Sequence, residues 1–252
     1  MFEKKKDNSC HITFDDGHHS FSEAYNILKK YNIPVSLFIS INKIINKENF
    51  WFQDIEELIK ILGNKFNEEF YRHFKQKFNN AGDFFCILKN LKISQINLFI
   101  NAIKLQYKLP IRFMNITEKQ LTYFLKENLI TLGAHTDNHP ILSNEDDETS
   151  NFEISNSIKI LEKYINQKVT SFAYPNGISD LDFSIREKNN LKNIGIKYAL
   201  SMNFNNIDKK EIDLLELPRV SLSENLIKNF FKIKFTKNYK YLYENLNINS
   251  EN

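Results

Sequence analysis

The sequence lacks several features that mark particular classes of protein. Its 252 residues contain only two cysteines, Cys10 and Cys86, which are too few for a disulfide framework and favour a reducing cytoplasm. No run of about 18 apolar residues is present, so we expect no transmembrane helix. The lysines near the start are not followed by an apolar segment, so no secretory signal is visible. The net charge of +3 is too small to indicate a nucleic-acid partner by itself, and we expect none.

What the sequence does have is a regular alternation of predicted strands and helices. Residues 10–14 and 35–39 are predicted strands, and Ser20 with Glu23 matches a capping box that would begin a helix between them. Further strands are predicted at 129–132, 169–174, 196–200 and 214–222. Later helices are predicted to begin at Thr117, to begin at Ser150 and to cover 180–193. This alternation is typical of an α/β protein with a parallel sheet, and about six strands suit a (β/α) barrel, complete or incomplete.

Two stretches depart from this alternation. Residues 42–116 have a mostly helical pattern and hold the only tryptophan, Trp51. We interpret them as an insertion in a barrel domain over 1–225, the alternative being outer helices of the barrel itself. Residues 226–252 form a tail rich in lysine and aromatic residues. Such a tail could lie on an anionic membrane surface, although a solvated helix packed on its own domain is the more common arrangement.

Polar residues follow four of the predicted strands, where the catalytic groups of β/α barrels lie. They are Asp15-Asp16-Gly17, His135 to His139, Tyr174 to Gly177, and Pro218-Arg219. Two adjacent carboxylates are costly unless a cation compensates them, and one could bind a metal while the other accepts a proton. His135 and His139 are close enough in sequence to bind the same ion. One aspartate with two histidines leaves a position open for water, which is the pattern of catalytic zinc.

Either of these motifs alone would be weak. An Asp-Asp-Gly sequence is often only a turn, and two histidines four residues apart are often exposed. Together, each after a predicted strand, they favour a metal-dependent hydrolase in which the carboxylate that is not bound to metal acts as general base.

The same residues resemble the motifs of the NodB-homology polysaccharide deacetylases, the fourth family of carbohydrate esterases. The matching segments, in the family's order, are Thr13 to Gly17, Gly133 to Ser143 and Phe172 to Gly177. The resemblance covers residues 9–40 and 117–222 and leaves the insertion and the tail outside. It implies a distorted, TIM-like (β/α) barrel of about seven parallel strands, here with a helical insertion. It also implies metal-dependent removal of an acetyl group from an N-acetylated sugar.

The resemblance extends to individual residues. Asp15 matches the catalytic base, and a backbone N–H beside Asn176 matches the donor to the oxyanion. Three residues match metal ligands, usually for zinc: Asp16, His135 and His139. The candidates for substrate contact are two residues of the third motif, and one of the insertion: Tyr174, Pro175 and Trp51.

The sequence departs from the family's pattern in three ways. The third motif commonly begins with an arginine that orients the base, but Ala173 stands there, and Arg219 is the best candidate to replace it. The late Leu-x-His, whose histidine protonates the leaving amine, reads Leu217-Pro218-Arg219. His18, beside the Asp-Asp-Gly turn, could approach the site instead, or could be an exposed loop residue. No tryptophan matches the family's hydrophobic support motif.

From these observations we expect a hydrolase that acts on an acetylated carbohydrate with a divalent metal, most often zinc. Without an export signal, the expected substrate is a cytoplasmic or lipid-linked precursor of a surface polysaccharide, in the cytoplasm or at the inner face of the membrane. Two alternatives stay open. One is hydrolysis of another non-peptide C–N bond on the same fold, and the other is a degenerate barrel that binds sugar or metal without turnover.

Overall fold

The centre of the molecule is a parallel sheet of five strands. The structure, a computed structural model, describes residues 10–203, 213–223 and 225. The strands pair in the order in which they occur along the chain. They are β1 (Ile12–Phe14), β2 (Val35–Ile39), β3 (Ile130–Ala134), β4 (Ser171–Ala173) and β5 (Tyr198–Leu200). Because every pair is parallel, the carboxyl ends of all five strands lie at one edge of the sheet.

The two ends of this sheet approach each other. Leu217 forms a parallel bridge with Leu200 of β5, so the chain after β5 extends the sheet by one residue. Next to that bridge, the guanidinium of Arg219 donates a hydrogen bond to the hydroxyl of Thr13 in β1, at 3.3 Å. A flat sheet would hold these segments far apart, so the sheet is curled into part of a barrel.

The expected α/β fold with a barrel-like sheet is confirmed, whereas the expected number of about seven strands is wrong. The described residues form five strands. The strand predicted over 214–222 is reduced to the bridge at Leu217. A turn precedes that residue, in which the Glu216 N–H donates to the Asp213 carbonyl at 3.1 Å. Pro218 follows it and has no N–H to donate to a neighbouring strand.

Nine α-helices connect the described strands. They are α1 (Phe21–Lys30), α2 (Ile41–Ile45), α3 (Trp51–Leu62), α4 (Asn64–Phe74), α5 (Ala81–Lys89), α6 (Ile93–Tyr107), α7 (Glu118–Phe124), α8 (Asp147–Ile165) and α9 (Ile185–Ile194). A short 3-10 helix covers Leu142–Asn144. The long helical stretch between β2 and β3 separates two strands that are direct neighbours in the sheet.

Of the predicted helix starts, only the one at Thr117 forms the expected cap, in which its hydroxyl accepts from the Gln120 N–H. The hydroxyl of Ser20 forms no cap because it is hydrogen-bonded to Nδ1 of His18, at 2.8 Å. Ser150 lies inside α8, which begins after Asp146 instead. The two corrections have different causes: a local contact with His18 occupies the Ser20 hydroxyl, whereas the side chain of Asp146 caps α8 one turn before Ser150 by accepting from the Thr149 N–H.

Three groups of apolar side chains are buried in the described part of the chain, and the smallest comprises Phe38, Ala173, Leu200 and Leu217. The first lies between the sheet and the helices around it and includes Leu37, Ile39 and Phe172. The second lies among α3 to α6 and is rich in phenylalanine: Phe66, Phe70, Phe84 and Phe99 are all buried there. The helices between β2 and β3 thus bury a core of their own, as an inserted unit must. The division of the chain into a barrel domain over 1–225 with an insertion at 42–116 stays a prediction.

Within the described ranges, none of the helices combines the length and the apolar character that crossing a bilayer requires. The tail over 226–252, for which we predicted either membrane contact or packing on the domain, lies outside the described residues.

Candidate active site

The carboxyl ends of β1 and β3 bring together the residues predicted to bind a metal. Asp16 follows β1, and His135 directly follows β3. One ligand atom each from Asp16, His135 and His139 can be chosen so that all three lie within 4.8 Å of one another. Nε2 of His135 is 3.4 Å from Oδ1 of Asp16, and Nε2 of His139 is 3.6 Å from the same oxygen. Three donors of this type around one point form a tight half-shell for a cation.

The state of these donors fits a cation. Oδ1 of Asp16 is buried and accepts no hydrogen bond, which is costly for a carboxylate oxygen unless a positive charge compensates it. Nδ1 of His135 is 2.7 Å from the carbonyl oxygen of Ala173. Because a carbonyl can only accept, Nδ1 carries the proton, and the lone pair of Nε2 is directed towards Asp16. This is the tautomer that a metal ligand needs.

The electrostatics of the three donors also favour a positive ion. Burial raises the pKa of Asp16, but the two imidazoles outweigh it and the pKa is lowered overall. Burial lowers the pKa of His135, but the carboxylates of Asp15 and Asp16 outweigh it and the pKa is raised. Burial dominates at His139 and lowers its pKa to about 4. The lowered pKa keeps Asp16 anionic and a pKa of about 4 keeps His139 neutral near pH 7, while the raised pKa of His135 shows that the nearby carboxylates favour positive charge at this point.

Asp15 points to a different partner. Its two carboxylate oxygens accept from Nη1 and Nη2 of Arg219, at 2.7 and 2.8 Å. The same guanidinium donates through Nε to the carbonyl of Ser201, at 3.3 Å. A two-pronged pair of this kind fixes the plane and direction of the carboxylate. Arg219 therefore fixes the carboxylate of Asp15, which is not among the three clustered donors, and the role predicted for this pair in orienting a base stays a prediction.

Trp51 supports the site from behind. Only 4% of its surface is exposed, and its indole N–H donates to the backbone carbonyl of His139, at 2.9 Å. The neighbouring rings of Phe50 and Phe52 meet the His139 ring edge to face, with centroids 5.6 and 5.0 Å away. The side chain of Trp51 is therefore buried against the backbone of His139 rather than exposed for the predicted contact with substrate.

The turn after β4 buries two of the predicted site residues, Tyr174 and Pro175, and leaves the third, Asn176, partly exposed. Tyr174 is fully buried, stacks on Phe183 at 3.6 Å and donates its hydroxyl to the carbonyl of Leu215, at 2.9 Å. Pro175 is buried too. Their side chains belong to the core, so the expected substrate contact cannot come from the ring of Tyr174. Asn176 is partly exposed and has a left-handed backbone with φ of 56°, and its Nδ2 is buried without a hydrogen-bond partner.

His18 lies next to the turn that carries Asp15 and Asp16. It is partly buried, its Nδ1 is bonded to the hydroxyl of Ser20, and its ring lies 4.1 Å from that of His19. Burial lowers the pKa of His18, while the charge of Asp16 acts in the opposite direction. His18 is therefore near enough to Asp16 to interact with it electrostatically, and its role in the reaction stays a prediction.

Two contacts of the site were missed from the sequence. One is the hydrogen bond from Trp51 to the loop over 135–139, named the metal-ligand loop after the two predicted metal ligands that it carries. The other is a set of polar bonds from α2 and α8 to the same loop. For example, Nδ2 of Asn42 donates to Asp137 at 2.8 Å. These pairs are 88 and 95 residues apart along the chain, and no local pattern indicates them.

Comparisons with known proteins agree with this geometry. The family model described as polysaccharide deacetylase matches residues 2–199. The deacetylase PplD of Streptococcus pyogenes, solved in complex with acetate, is similar in structure, with a TM-score of 0.55 and 19% identity over 88% of this chain and 69% of that one. IcaB from Ammonifex degensii has a TM-score of 0.52 and 13% identity over 90% of this chain and 71% of that one. No curated protein matches this sequence.

At these identities the two solved structures support the fold alone. The family model, by contrast, spans well over half of the 252 residues, and its range includes the Asp-Asp-Gly turn, both histidines and the turn after β4. The chain therefore belongs to the polysaccharide deacetylase family, the members of which are enzymes that remove acetyl groups from sugars.

Proposed function

We propose that the chain is a metal-dependent N-deacetylase that hydrolyses the acetamide group of a sugar. The observation that carries this proposal is the pairing of two arrangements at one edge of the sheet. Asp16, His135 and His139 present a tight set of donors, and Asp15 is fixed beside them by Arg219. The first arrangement suits a metal and the second suits a general base.

Asp16, His135 and His139 would hold the metal, for which we propose zinc because one carboxylate and two imidazoles are ligands that zinc accepts in catalytic sites. When bound, zinc would polarise the acetyl carbonyl and make a water molecule more acidic. Asp15 would accept the proton of the attacking water, with Arg219 holding the carboxylate in position for that transfer. The products are acetate and the free amino sugar.

Two further roles are proposed around the reacting carbonyl. The backbone N–H at Asn176 would donate to the developing oxyanion, in support of which Asn176 is partly exposed in a left-handed turn directly after β4. His18 would deliver a proton to the leaving amine, since it is the partly buried histidine next to the Asp15-Asp16 turn. His18→Gln should then lower kcat with little change in metal binding. Unchanged kcat would assign the proton to another group.

For the substrate we propose an acetylated sugar in a cytoplasmic or lipid-linked precursor of a surface polysaccharide. Both cysteines, Cys10 and Cys86, are free and exposed, as expected of a protein in a reducing compartment. The lysine-rich, aromatic composition of residues 226–252 favours the lipid-linked form at the inner face of the membrane. Deleting 226–252 should reduce binding to vesicles containing anionic lipid and leave hydrolysis of short soluble substrates intact. Equal vesicle binding with and without this segment would contradict the membrane contact.

One observation favours a second candidate, a barrel that binds sugar without turnover. The segment Leu217-Pro218-Arg219 has no histidine where the family has its catalytic acid. Incubating the zinc-loaded protein with short N-acetylglucosamine oligomers separates the two. Release of one acetate for each new amine supports the deacetylase, whereas binding of the oligomer without acetate supports the second candidate. Ring opening of a cyclic amide without acetate release would point instead to another C–N hydrolase.

A further inference from the structure

We propose that Glu153 of α8 is a positioning residue for the metal-ligand loop, whose backbone it fixes between the two histidines. The inference rests on the proposed function, because it takes His135 and His139 as metal ligands. Glu153 itself touches neither histidine side chain and is separate from the residues assigned above to the reaction.

The carboxylate of Glu153 is committed to the loop. Its Oε2 accepts from the backbone N–H groups of Asp137 and Asn138, at 2.9 and 2.7 Å. Its Oε1 accepts from Nδ2 of Asn138, at 2.8 Å. Only 2% of Glu153 is exposed, so water does not compete for these bonds. Three hydrogen bonds thereby connect the middle of the loop to α8.

The backbone of the metal-ligand loop is strained at two positions, which the bonds from Glu153 would stabilise. Thr136 and His139 both have left-handed backbones, with φ of 60° and 59°, a conformation that residues with a side chain rarely adopt. Such conformations persist only where the surroundings over-determine them. The hydroxyl of Thr136 accepts from the His139 N–H at 3.1 Å, which closes the turn locally. Glu153 holds the two residues that lie between these strained positions.

Within the described part of the chain, the carboxylate of Glu153 forms hydrogen bonds only to the metal-ligand loop. No lysine or arginine there pairs with it, although a buried carboxylate usually has such a partner. Burial raises its pKa, and the N–H groups of the loop act against that rise. The neighbouring carboxylate of Asp137 is occupied separately, by the amides of Asn42 and Asn156 at 2.8 and 3.0 Å. The loop is the only described structure that Glu153 serves.

The matched comparison is with Glu187 of α9. Glu187 is also fully buried and accepts from the Ser184 N–H at 2.8 Å and the Ser150 hydroxyl at 2.6 Å. It braces the start of a helix and touches no residue of the metal-ligand loop. Glu153→Met and Glu187→Met each remove a buried carboxylate while keeping the length of the side chain. Glu153→Gln keeps an oxygen that can accept from both loop N–H groups.

The experiment measures two quantities: hydrogen exchange of the loop amides in metal-free protein, and the binding of cobalt(II). In metal-free protein, Glu153→Met should speed hydrogen exchange of the amides at 137 and 138, whereas Glu187→Met should leave those amides unchanged. With cobalt(II) alone as probe, Glu153→Met should weaken binding by about 10- to 100-fold and change the visible absorption spectrum of the ion. Glu153→Gln should restore most of both properties.

The proposal would be overturned if Glu153→Met kept both the wild-type exchange rates at 137 and 138 and the wild-type affinity for cobalt(II). It would also be overturned if Glu153→Met and Glu187→Met lost cobalt affinity to the same extent. If Glu153→Met does not fold, the variant Asn138→Ala tests the proposal instead. It removes the hydrogen bond from Nδ2 of Asn138 to Glu153 and keeps the buried carboxylate. It should weaken cobalt binding several-fold, and unchanged binding and exchange would again overturn the proposal. Failure of the wild-type protein to bind any metal would contradict the proposed function instead, while the exchange data would still test the anchor.

Discussion

The guanidinium of Arg219 holds the carboxylate of Asp15 through two hydrogen bonds, of 2.7 and 2.8 Å, across 204 residues of sequence. Ala173 stands where the third motif of the family commonly has an arginine. Arg219 reaches Asp15 from the other end of the curled sheet, and we propose that it replaces the arginine of that motif. The contact that brings the two ends of the sheet together therefore also orients the proposed base.

Arg219→Lys should lower kcat while leaving metal binding intact. A lysine offers a point charge in place of the planar fork, so the carboxylate of Asp15 would lose its fixed direction. Misplacement of a catalytic group by about 1 Å can cost roughly 100-fold in rate, and we expect a loss of that order. Steady-state kinetics of acetate release and a zinc titration measure the two quantities.

The control for that variant is Arg72→Lys. Arg72 also pairs with a carboxylate, that of Glu69, but most of its side chain is exposed and it belongs to the inserted helices. The Arg72→Lys variant should therefore have the kcat and the zinc affinity of the wild type. If Arg219→Lys behaves in the same way as Arg72→Lys, the assigned role of Arg219 is wrong.

Metal binding should depend on pH through a single proton between about pH 5 and 6. The raised pKa of His135 means that this imidazole is protonated there and must lose its proton to bind. His139, with a pKa of about 4, is already neutral, and the lowered pKa of Asp16 keeps it anionic. Affinity should therefore fall by up to about tenfold for each pH unit below the pKa of His135.

Calorimetry in buffers with different ionisation enthalpies counts the protons released on zinc binding. One proton per zinc at pH 5.5, an experimental condition inside that window, fits the assignment. Release of two protons, or of none, would show that the charge states of the two histidines differ from those described.

Much of the site could be predicted because its motifs are short and each follows a strand. Asp15, Asp16 and His135 are placed by the ends of β1 and β3, and the pattern of apolar residues marks those ends. The positions of helices were harder to predict. Ser150 looked like a cap, but its hydroxyl donates to Glu187, 37 residues away, and a partner at that distance leaves no local signal.

The side chains around the site were the least predictable part. Tyr174 follows a strand end in a recognised motif, yet its ring is buried against Phe183. Trp51 lies in a stretch outside the resemblance, yet its indole reaches the loop between the two histidines. In both cases the packing of distant helices decides where the ring points, and the sequence near the residue carries no information about those helices.

Trp51→Phe should weaken metal binding and lower stability together. The variant keeps an aromatic ring in the same place but leaves the carbonyl of His139 without its donor. An unpaired buried acceptor costs about 1–3 kcal/mol, and the loss should appear in the free energy of unfolding measured with urea.

Phe66→Leu is the comparison for Trp51→Phe. Phe66 is fully buried in the second core, away from the site, and its truncation should lower stability by a similar amount. Zinc affinity should fall in Trp51→Phe alone. Equal zinc affinity in the two variants would mean that Trp51 serves only the packing of the inserted helices.

Asp15→Asn should abolish turnover without loss of zinc. An amide cannot accept the proton of water, but it preserves the shape of the side chain beside the donors. Acetate release should fall by about 100- to 10,000-fold, the contribution typical of general acid–base catalysis. A variant that retains the wild-type rate would show that another group accepts the proton.

The central claim is that Asp16, His135 and His139 bind one metal ion that Asp15 does not bind. Its most direct test is the zinc content of four purified proteins after dialysis against zinc and then against buffer: wild type, Asp15→Asn, Asp16→Asn and His139→Gln. We expect one zinc per chain in wild type and Asp15→Asn, and little or none in Asp16→Asn and His139→Gln. A wild-type protein that retains no zinc, or an Asp16→Asn variant that retains a full equivalent, would contradict it.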